Sequence, residues 1–326
     1  MRRSRPIPLR RGPATDRVVT VLVPDHPEAR TLADVAGRVR LLALGDGAPP
    51  DGVEEAEFLV PPWWSPDALA ALIPRLNRLR VVQTLSSGVE YVLPAVPPGV
   101  TVCNAQGVHD APVAEWVVAA ILAMWKRLPE YAEDQRAGRW SDELPADLAG
   151  ARVLILGHGS IGRAVEARLA PFGVRIDRVA RRARPGVAPV GALDRLLPAA
   201  DIVVSLLPLT PETAGLLGRE RLARMRHGAL LVNAGRGGTV DGGALEEALR
   251  AGRLRAALDV TDPEPLPAGH GLRSAPGCLI TPHVAGRTRS FPASAYRLAR
   301  LQLERHLRGE PLANVVRPAT SGTVAA

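Results

Sequence analysis

The sequence predicts an α/β protein of two domains, each built on a mostly parallel sheet. Short apolar runs alternate with amphipathic stretches along most of the chain, and parallel neighbours need such crossovers. The 326 residues are also enough for two cores of ordinary size.

Residues 1–17 form an arginine- and proline-containing leader (Arg2, Arg3, Arg5, Arg10, Arg11) that is expected to stay disordered. No apolar h-region follows these arginines, so the leader does not read as a secretory signal. Arg17–Val23, Val39–Ala43, Glu57–Val60, Arg80–Leu85 and Val100–Cys103 read as strands, with helical pieces at Arg30–Ala36 and Asp67–Leu72. A longer helix is expected from Ala111 to about Leu128, with Asp110 as N-cap and Pro112 in its first turn. It is apolar almost all round and is expected to be buried. The polar segment from Glu130 to Gly150 should wrap the surface.

A second series begins at Ala151. Its strands are Arg152–Leu156, Val174–Val179, Ile202–Leu206, Ala229–Asn233, Arg255–Leu258 and Cys278–Ile280. Helices are expected at Ile161–Leu169, Ala192–Leu197, Arg219–Met225, Gly243–Ala251 and roughly Arg289–Leu307. A tail carrying Asn314-Val315-Val316 follows.

Composition excludes several classes of function. Hydrophobic residues are 46% and charged residues 23%, as in globular proteins, and no apolar run reaches a membrane span. The net charge of +8 comes almost wholly from dispersed arginine, Lys126 being the only lysine, so no nucleic-acid partner is expected. Cys103 and Cys278 lie far apart without metal-ligand spacing, which predicts a reduced cytoplasmic protein without disulfide or metal. Trp63, Trp64 and Trp140 are assigned to core or interface packing in preference to a substrate pocket.

The chemistry begins at Gly157-His158-Gly159-Ser160-Ile161-Gly162, directly after an apolar strand and opening a helix. Gly157 permits the tight turn, Gly159 lets backbone approach a pyrophosphate, and Gly162 allows close helix–strand packing. The helix N-terminus then offers N–H groups to phosphates. His158 lies inside this cofactor motif, but its side chain is expected to point away as a filler. The ribose ligand should stand at the end of the next strand. There the sequence has Ala180, Arg181 and Arg182, with Arg184 close behind, instead of an acid. Arginine suits a 2′-phosphate, so NADP(H) is expected in preference to NAD(H). Three further polar residues follow strands: Arg236 in Asn233-Ala234-Gly235-Arg236-Gly237, Glu264 in Thr261-Asp262-Pro263-Glu264-Pro265, and His283 in Thr281-Pro282-His283-Val284. Taken singly, each has a bland reading as a cap, a turn carboxylate or a structural histidine.

Taken together, these motifs resemble the D-isomer-specific 2-hydroxyacid dehydrogenase family, from about Val18 to Val316. Other matches are Leu85-Ser86-Ser87-Gly88-Val89 and the segment Ser205 to Thr213. The resemblance implies a Rossmann-type cofactor domain (105–285) inserted into a flavodoxin-like substrate domain (18–104 plus 286–318), with 319–326 as a tail. It implies hydride transfer between a nicotinamide cofactor and a small 2-oxo or D-2-hydroxy acid. Arg236, Glu264 and His283 take the catalytic positions. Ser87, Gly88 and Val89, with Arg236 and His283, take the substrate positions. Leu207, Pro208, Thr213, Ala234, Gly235, Arg236, Asp259, His283 and Gly286 join the glycine motif, Arg181 and Arg182 around the cofactor, Asp259 bonding the nicotinamide carboxamide. The family's acidic ribose ligand falls on Ala180, as in the NADP-using glyoxylate and hydroxypyruvate reductases. The helix 111–128 is expected to pair two copies into a homodimer. Rival expectations are a phosphite, formate or D-3-phosphoglycerate dehydrogenase on the same fold, or a dinucleotide-sensing scaffold of the corepressor type. The short segment after Val316 weakens the phosphoglycerate reading.

Overall fold

In the central strands of both sheets, runs of β-branched and aliphatic residues are buried on both faces, the pattern of parallel sheets covered by helices. The computed structural model describes residues 17–35, 37–45, 47–62 and 66–319. The first sixteen residues of the expected leader, the tail after residue 319, and Trp63 and Trp64 lie outside the described residues.

In chain order, the first elements are β1 (Val19–Pro24), β2 (Val39–Leu44), β3 (Ala56–Leu59), α1 (Pro66–Leu72), β4 (Val81–Gln83) and β5 (Thr101–Cys103). Next come α2 (Asp110–Trp125), α3 (Leu128–Arg136), β6 (Arg152–Leu156), α4 (Ser160–Leu169), β7 (Arg175–Ala180) and the two-residue β8 (Ala188–Pro189). They are followed by α5 (Leu193–Leu196), β9 (Ile202–Ser205), α6 (Arg219–Arg224), β10 (Ala229–Asn233), α7 (Gly242–Arg250), β11 (Leu254–Leu258) and β12 (Cys278–Ile280). The chain ends in α8 (Phe291–Arg308) and β13 (Val315–Arg317).

The chain divides into two compact units, one holding residues up to Ala105 and from Pro292, the other Gln106–Phe291. In the first unit the sheet order is β13-β5-β4-β3-β1-β2. The parallel part is the flavodoxin-like 2-1-3-4-5 order, with β13 added antiparallel to β5. Its core includes Leu22, Leu59, Leu69, Val82 and Val102. In the second unit the order is β12-β11-β10-β9-β6-β7-β8, all parallel. It contains the Rossmann order, which reverses between β6 and β9 and so places the ligand crevice beyond their carboxyl ends. Alternate residues of these strands feed two cores. Leu154, Val203, Leu231 and Ala256 join one, and Val153, Ile202, Leu230 and Ala257 join the other.

Four local expectations change. The stretch expected as an α-helix at Arg30–Ala36 contains instead the end of a 3-10 helix at Pro27–Leu32, capped by His26 accepting from the Glu28 amide. Asp110 is the first residue of α2 and not its cap; His109 holds the N-cap position, and its side chain does not cap the helix amides. α2 ends at Trp125, short of the expected Leu128. Arg127, in the left-handed region at φ 56°, separates it from α3, a helix not expected from the sequence, which runs into the segment expected to wrap the surface. Its polarity disguised it: α3 buries no residue, and its proline near the start and helix-favouring Glu, Gln, Ala and Arg carry it. Trp140 is 94% exposed, so it packs in no core of this chain. As expected, α2 is sunk into its unit through Val113, Val117, Ile121 and Met124.

Candidate active site

The carboxyl ends of β6, β9, β10, β11 and β12 carry the candidate residues of the second unit. Gly157 has φ +96°, and a Cβ there would stand 2.8 Å from the Leu206 carbonyl oxygen. A Cβ on Gly162 would meet the Gly157 carbonyl oxygen at 2.5 Å, whereas one on Gly159 would meet nothing within 4 Å. Two glycines are therefore required by packing, and the third opens on space. α4 begins at Ser160 with no side-chain cap, so its first N–H groups are not spent on a capping residue. A backbone cradle with an uncapped ten-residue helix behind it fits the pyrophosphate of a dinucleotide. Ile161 is partly buried behind this turn.

Leu207 and Pro208 follow β9 across from the turn. Thr213 shapes their loop by donating to the Pro208 carbonyl at 2.6 Å and accepting from the Thr210 amide at 2.8 Å. Arg181 and Arg182 are exposed after β7. Glu212 approaches Arg181 closely enough that the cation helps lower its carboxyl, after the larger effects of Thr210 and its own backbone amide. An acid thus stands near this arginine cluster, a partner that its local sequence does not reveal.

After β10 the chain passes through a crowded point. A Cβ on Gly235 would lie 2.5 Å from the Leu207 carbonyl oxygen, and one on Gly237 would lie 1.9 Å from that of Thr261. Asn233 stitches this turn, accepting from the Gly235 amide at 3.1 Å and donating to the Arg236 carbonyl at 3.2 Å. Arg236 is thereby fixed between the loops that follow β9 and β11, next to Ala234.

Glu264 and His283 meet across those loops. His283 Nδ1 lies 2.8 Å from Glu264 Oε2, and Glu264 Oε1 accepts from the Thr261 amide at 2.9 Å. Burial opposes ionisation of Glu264. The bonds from His283 and Thr261 and the charges of His283 and Arg236 outweigh it and hold the carboxyl below the usual range. Arg236 thus stands near enough to Glu264 to act on it through its charge. The His283 side chain remains 48% exposed, so a small molecule can reach its other nitrogen.

His283 adopts φ +52°, an uncommon conformation for a residue with a Cβ. Asp259 explains how it is held. The Asp259 carbonyl accepts from the His283 amide at 2.8 Å. Its carboxylate accepts from the Thr281 hydroxyl at 2.6 Å and from the Val284 and Ala285 amides at 2.9 Å each. The buried Asp259 thus fastens the turn that presents His283, which the sequence did not reveal. Gly286 follows, and a Cβ on it would stand 2.8 Å from His109 Nδ1.

The first unit carries Ser87, Gly88 and Val89 after β4. The Thr84 hydroxyl donates to the Ser86 carbonyl at 2.8 Å, the Ser86 hydroxyl to that of Gly88 at 2.6 Å, and Asn104 to that of Ser87 at 2.8 Å. With the carbonyls tied back, the amides of Ser87, Gly88 and Val89 donate to no acceptor among the described residues. Successive unspent amides form a concavity suited to an anion. Among the described residues there is no cluster able to hold a metal and no helix long and apolar enough to cross a membrane.

The chain is similar to known proteins over most of its length. The sequence profile described as D-isomer specific 2-hydroxyacid dehydrogenase, NAD binding domain, matches residues 118–285. The mouse (Mus musculus) glyoxylate reductase/hydroxypyruvate reductase is 36% identical over 248 residues, covering 72% of this chain and 76% of the relative. A D-isomer specific 2-hydroxyacid dehydrogenase from Xanthobacter autotrophicus, solved in complex with NADPH and MES, is 32% identical with a TM-score of 0.78, over 93% of this chain and 98% of that one. The NADPH-dependent glyoxylate/hydroxypyruvate reductase from Sinorhizobium meliloti, solved with NADP and sulfate, is 28% identical with a TM-score of 0.80, over 91% and 98%. With the glycine cradle and the grouped Arg236, Glu264 and His283, the chain belongs to the D-isomer-specific 2-hydroxyacid dehydrogenase family, oxidoreductases acting on CH–OH groups.

Proposed function

We propose that this enzyme reduces a small 2-oxo acid of the glyoxylate or hydroxypyruvate type to its D-2-hydroxy acid, with NADP(H) preferred over NAD(H). The observation that carries the reading is the 2.8 Å His283–Glu264 contact beside Arg236, at the carboxyl edge of a Rossmann sheet. A 2-oxo acid presents a carboxylate next to a ketone, so its reduction needs charge recognition, carbonyl polarisation and one proton. Arg236 supplies the first two through its fork of donors. Glu264 accepts from Nδ1 and leaves the proton at Nε2, from which His283 protonates the ketone oxygen; in the reverse direction His283 removes it. The amides of Ser87, Gly88 and Val89 bind the carboxylate. The bound nicotinamide supplies or accepts the hydride. Gly157, Gly159, Ser160 and Gly162 hold its pyrophosphate, and Arg181 and Arg182 favour the phosphorylated ribose.

In this reading Gln106–Phe291 is the cofactor-binding unit. The enzyme pairs as a homodimer. The part-exposed Trp116 on α2 and the 94% exposed Trp140 and 90% exposed Leu144 beyond α3 support this, because a second copy would cover them.

The test is NADPH and NADH oxidation with glyoxylate, hydroxypyruvate and bulkier 2-oxo acids. Turnover with the small acids and a higher kcat/KM for NADPH are expected, and a panel without turnover overturns the reading. His283→Ala should lower kcat roughly 10²–10⁴-fold, and Arg236→Ala should strongly lower kcat/KM for the oxo acid. Wild-type values in either variant would remove that residue from the mechanism.

A further inference from the structure

His158 stands in the glycine turn with only 8% of its surface exposed, and both ring nitrogens are engaged. Nε2 lies 2.6 Å from Glu166 Oε2, and Nδ1 lies 3.0 Å from Arg184 Nη2. The same Nη2 donates to the His158 carbonyl. Arg178 holds the far side of Glu166, donating from Nε at 2.9 Å and also from Nη2. Arg178 first, and His158 against the opposing effect of burial, bring the Glu166 carboxyl down to about 2, so it is an anion at neutral pH. An anionic Glu166 accepts a hydrogen bond from the Nε2–H and so leaves Nδ1 as an acceptor. An arginine can only donate, so the Arg184 contact requires this tautomer.

The backbone of Arg184 is fixed as well. Its amide donates to the Val187 carbonyl at 3.1 Å and its carbonyl accepts from the Val187 amide at 2.8 Å. Pro185 and Gly186, at φ +75°, occupy the corner as in a type II turn. The glycine turn lies beside this strand end, because the amides of Gly157 and His158 both donate to the Val179 carbonyl, at 2.9 and 3.2 Å. Arg184 is thus held at both ends next to the place where a Rossmann fold receives the adenosine ribose. Among the described residues its Nε and Nη1 make no hydrogen bond, while Glu212 lies near enough to Arg181 to feel its charge.

We propose that His158 is the positioning residue for recognition of the adenosine 2′-phosphate: it holds Arg184 beside the glycine turn and makes Arg184 the arginine that reads that phosphate. The inference rests on the NADP(H) reading above. Arg181, Arg182 and Arg184 are all exposed after β7, but Arg184 is the one bonded to His158, so its guanidinium loses less freedom on meeting the phosphate than the other two.

The test uses calorimetric binding of adenosine 2′,5′-bisphosphate and of 5′-AMP to the full chain, read as the ratio of their Kd values. Arg184→Ala should cut the preference for the bisphosphate about tenfold or more, the loss of a charge-assisted bond. His158→Ala should do the same. His158→Asn keeps an acceptor near the Nδ1 position and should retain most of the preference. His158→Gln reaches Glu166 but offers Arg184 no acceptor there, and should behave like the alanine variant. Equal weakening of both ligands in His158→Ala would show a purely structural role and overturn the proposal, as would loss of the preference in His158→Asn. A wild-type chain that binds both ligands equally sinks the NADP(H) reading itself. A wild-type preference that survives in Arg184→Ala sinks only this inference.

Discussion

Asp259 shows how much one carboxylate can organise. It accepts one hydroxyl and two amide bonds from the turn around His283, while its own carbonyl receives the His283 amide. Replacing it by asparagine turns one acceptor into a donor facing an amide. Asp259→Asn should therefore cost about 1–3 kcal/mol of stability, the penalty for a buried unpaired donor. It should also lower kcat by releasing His283 from φ +52°. Urea unfolding together with steady-state rates would check this, and an unchanged kcat would show that the turn holds without the staple. The resemblance gave Asp259 only as a ligand of the nicotinamide carboxamide; its partners in the turn around His283 stand beyond a long loop and β12, and no local pattern announces them. Arg236, Glu264 and His283 were legible because each follows an apolar strand at a sheet end. Their convergence required the fold.

Among the elements, the strand–turn–helix from β6 to α4 was read nearly residue for residue, since packing dictates two of its three glycines. Gly162→Ala places a methyl group 2.5 Å from a backbone oxygen that cannot move aside cheaply. The expected result is a loss of roughly 1–3 kcal/mol through overpacking and weaker binding of NADP+, followed by thermal unfolding with and without the nucleotide. Stability and affinity equal to wild type would mean that the helix shifts freely away from β6. The central strands were equally plain, because burial on both faces leaves continuous aliphatic runs. Elements without such burial were not. α3 buries nothing, β8 has two residues, and β13 is a three-residue edge strand with Val315 and Val316 both exposed, so none leaves a periodic signature.

For the molecule as a whole, the two sheet orders separate a flavodoxin-like unit from a Rossmann unit, and the chain enters and leaves the latter once. The association proposed above places Trp140 and Leu144 against a second copy. Trp140→Glu should then convert a particle of twice the chain mass into one of single mass in sedimentation, with NADP+ binding retained. A wild-type chain that already sediments as a monomer would refute the pairing. Composition identified a globular protein but not its association, since exposure of a tryptophan depends on the path of the arm after α3. His109 stacks on Phe291 at 4.9 Å and meets the Gly286 carbonyl at 3.3 Å, so the entry and exit of the inserted unit are fastened together. Residues 106 to 291 therefore behave as a cassette with abutting ends, which can be excised or exchanged among related scaffolds without a spanning linker.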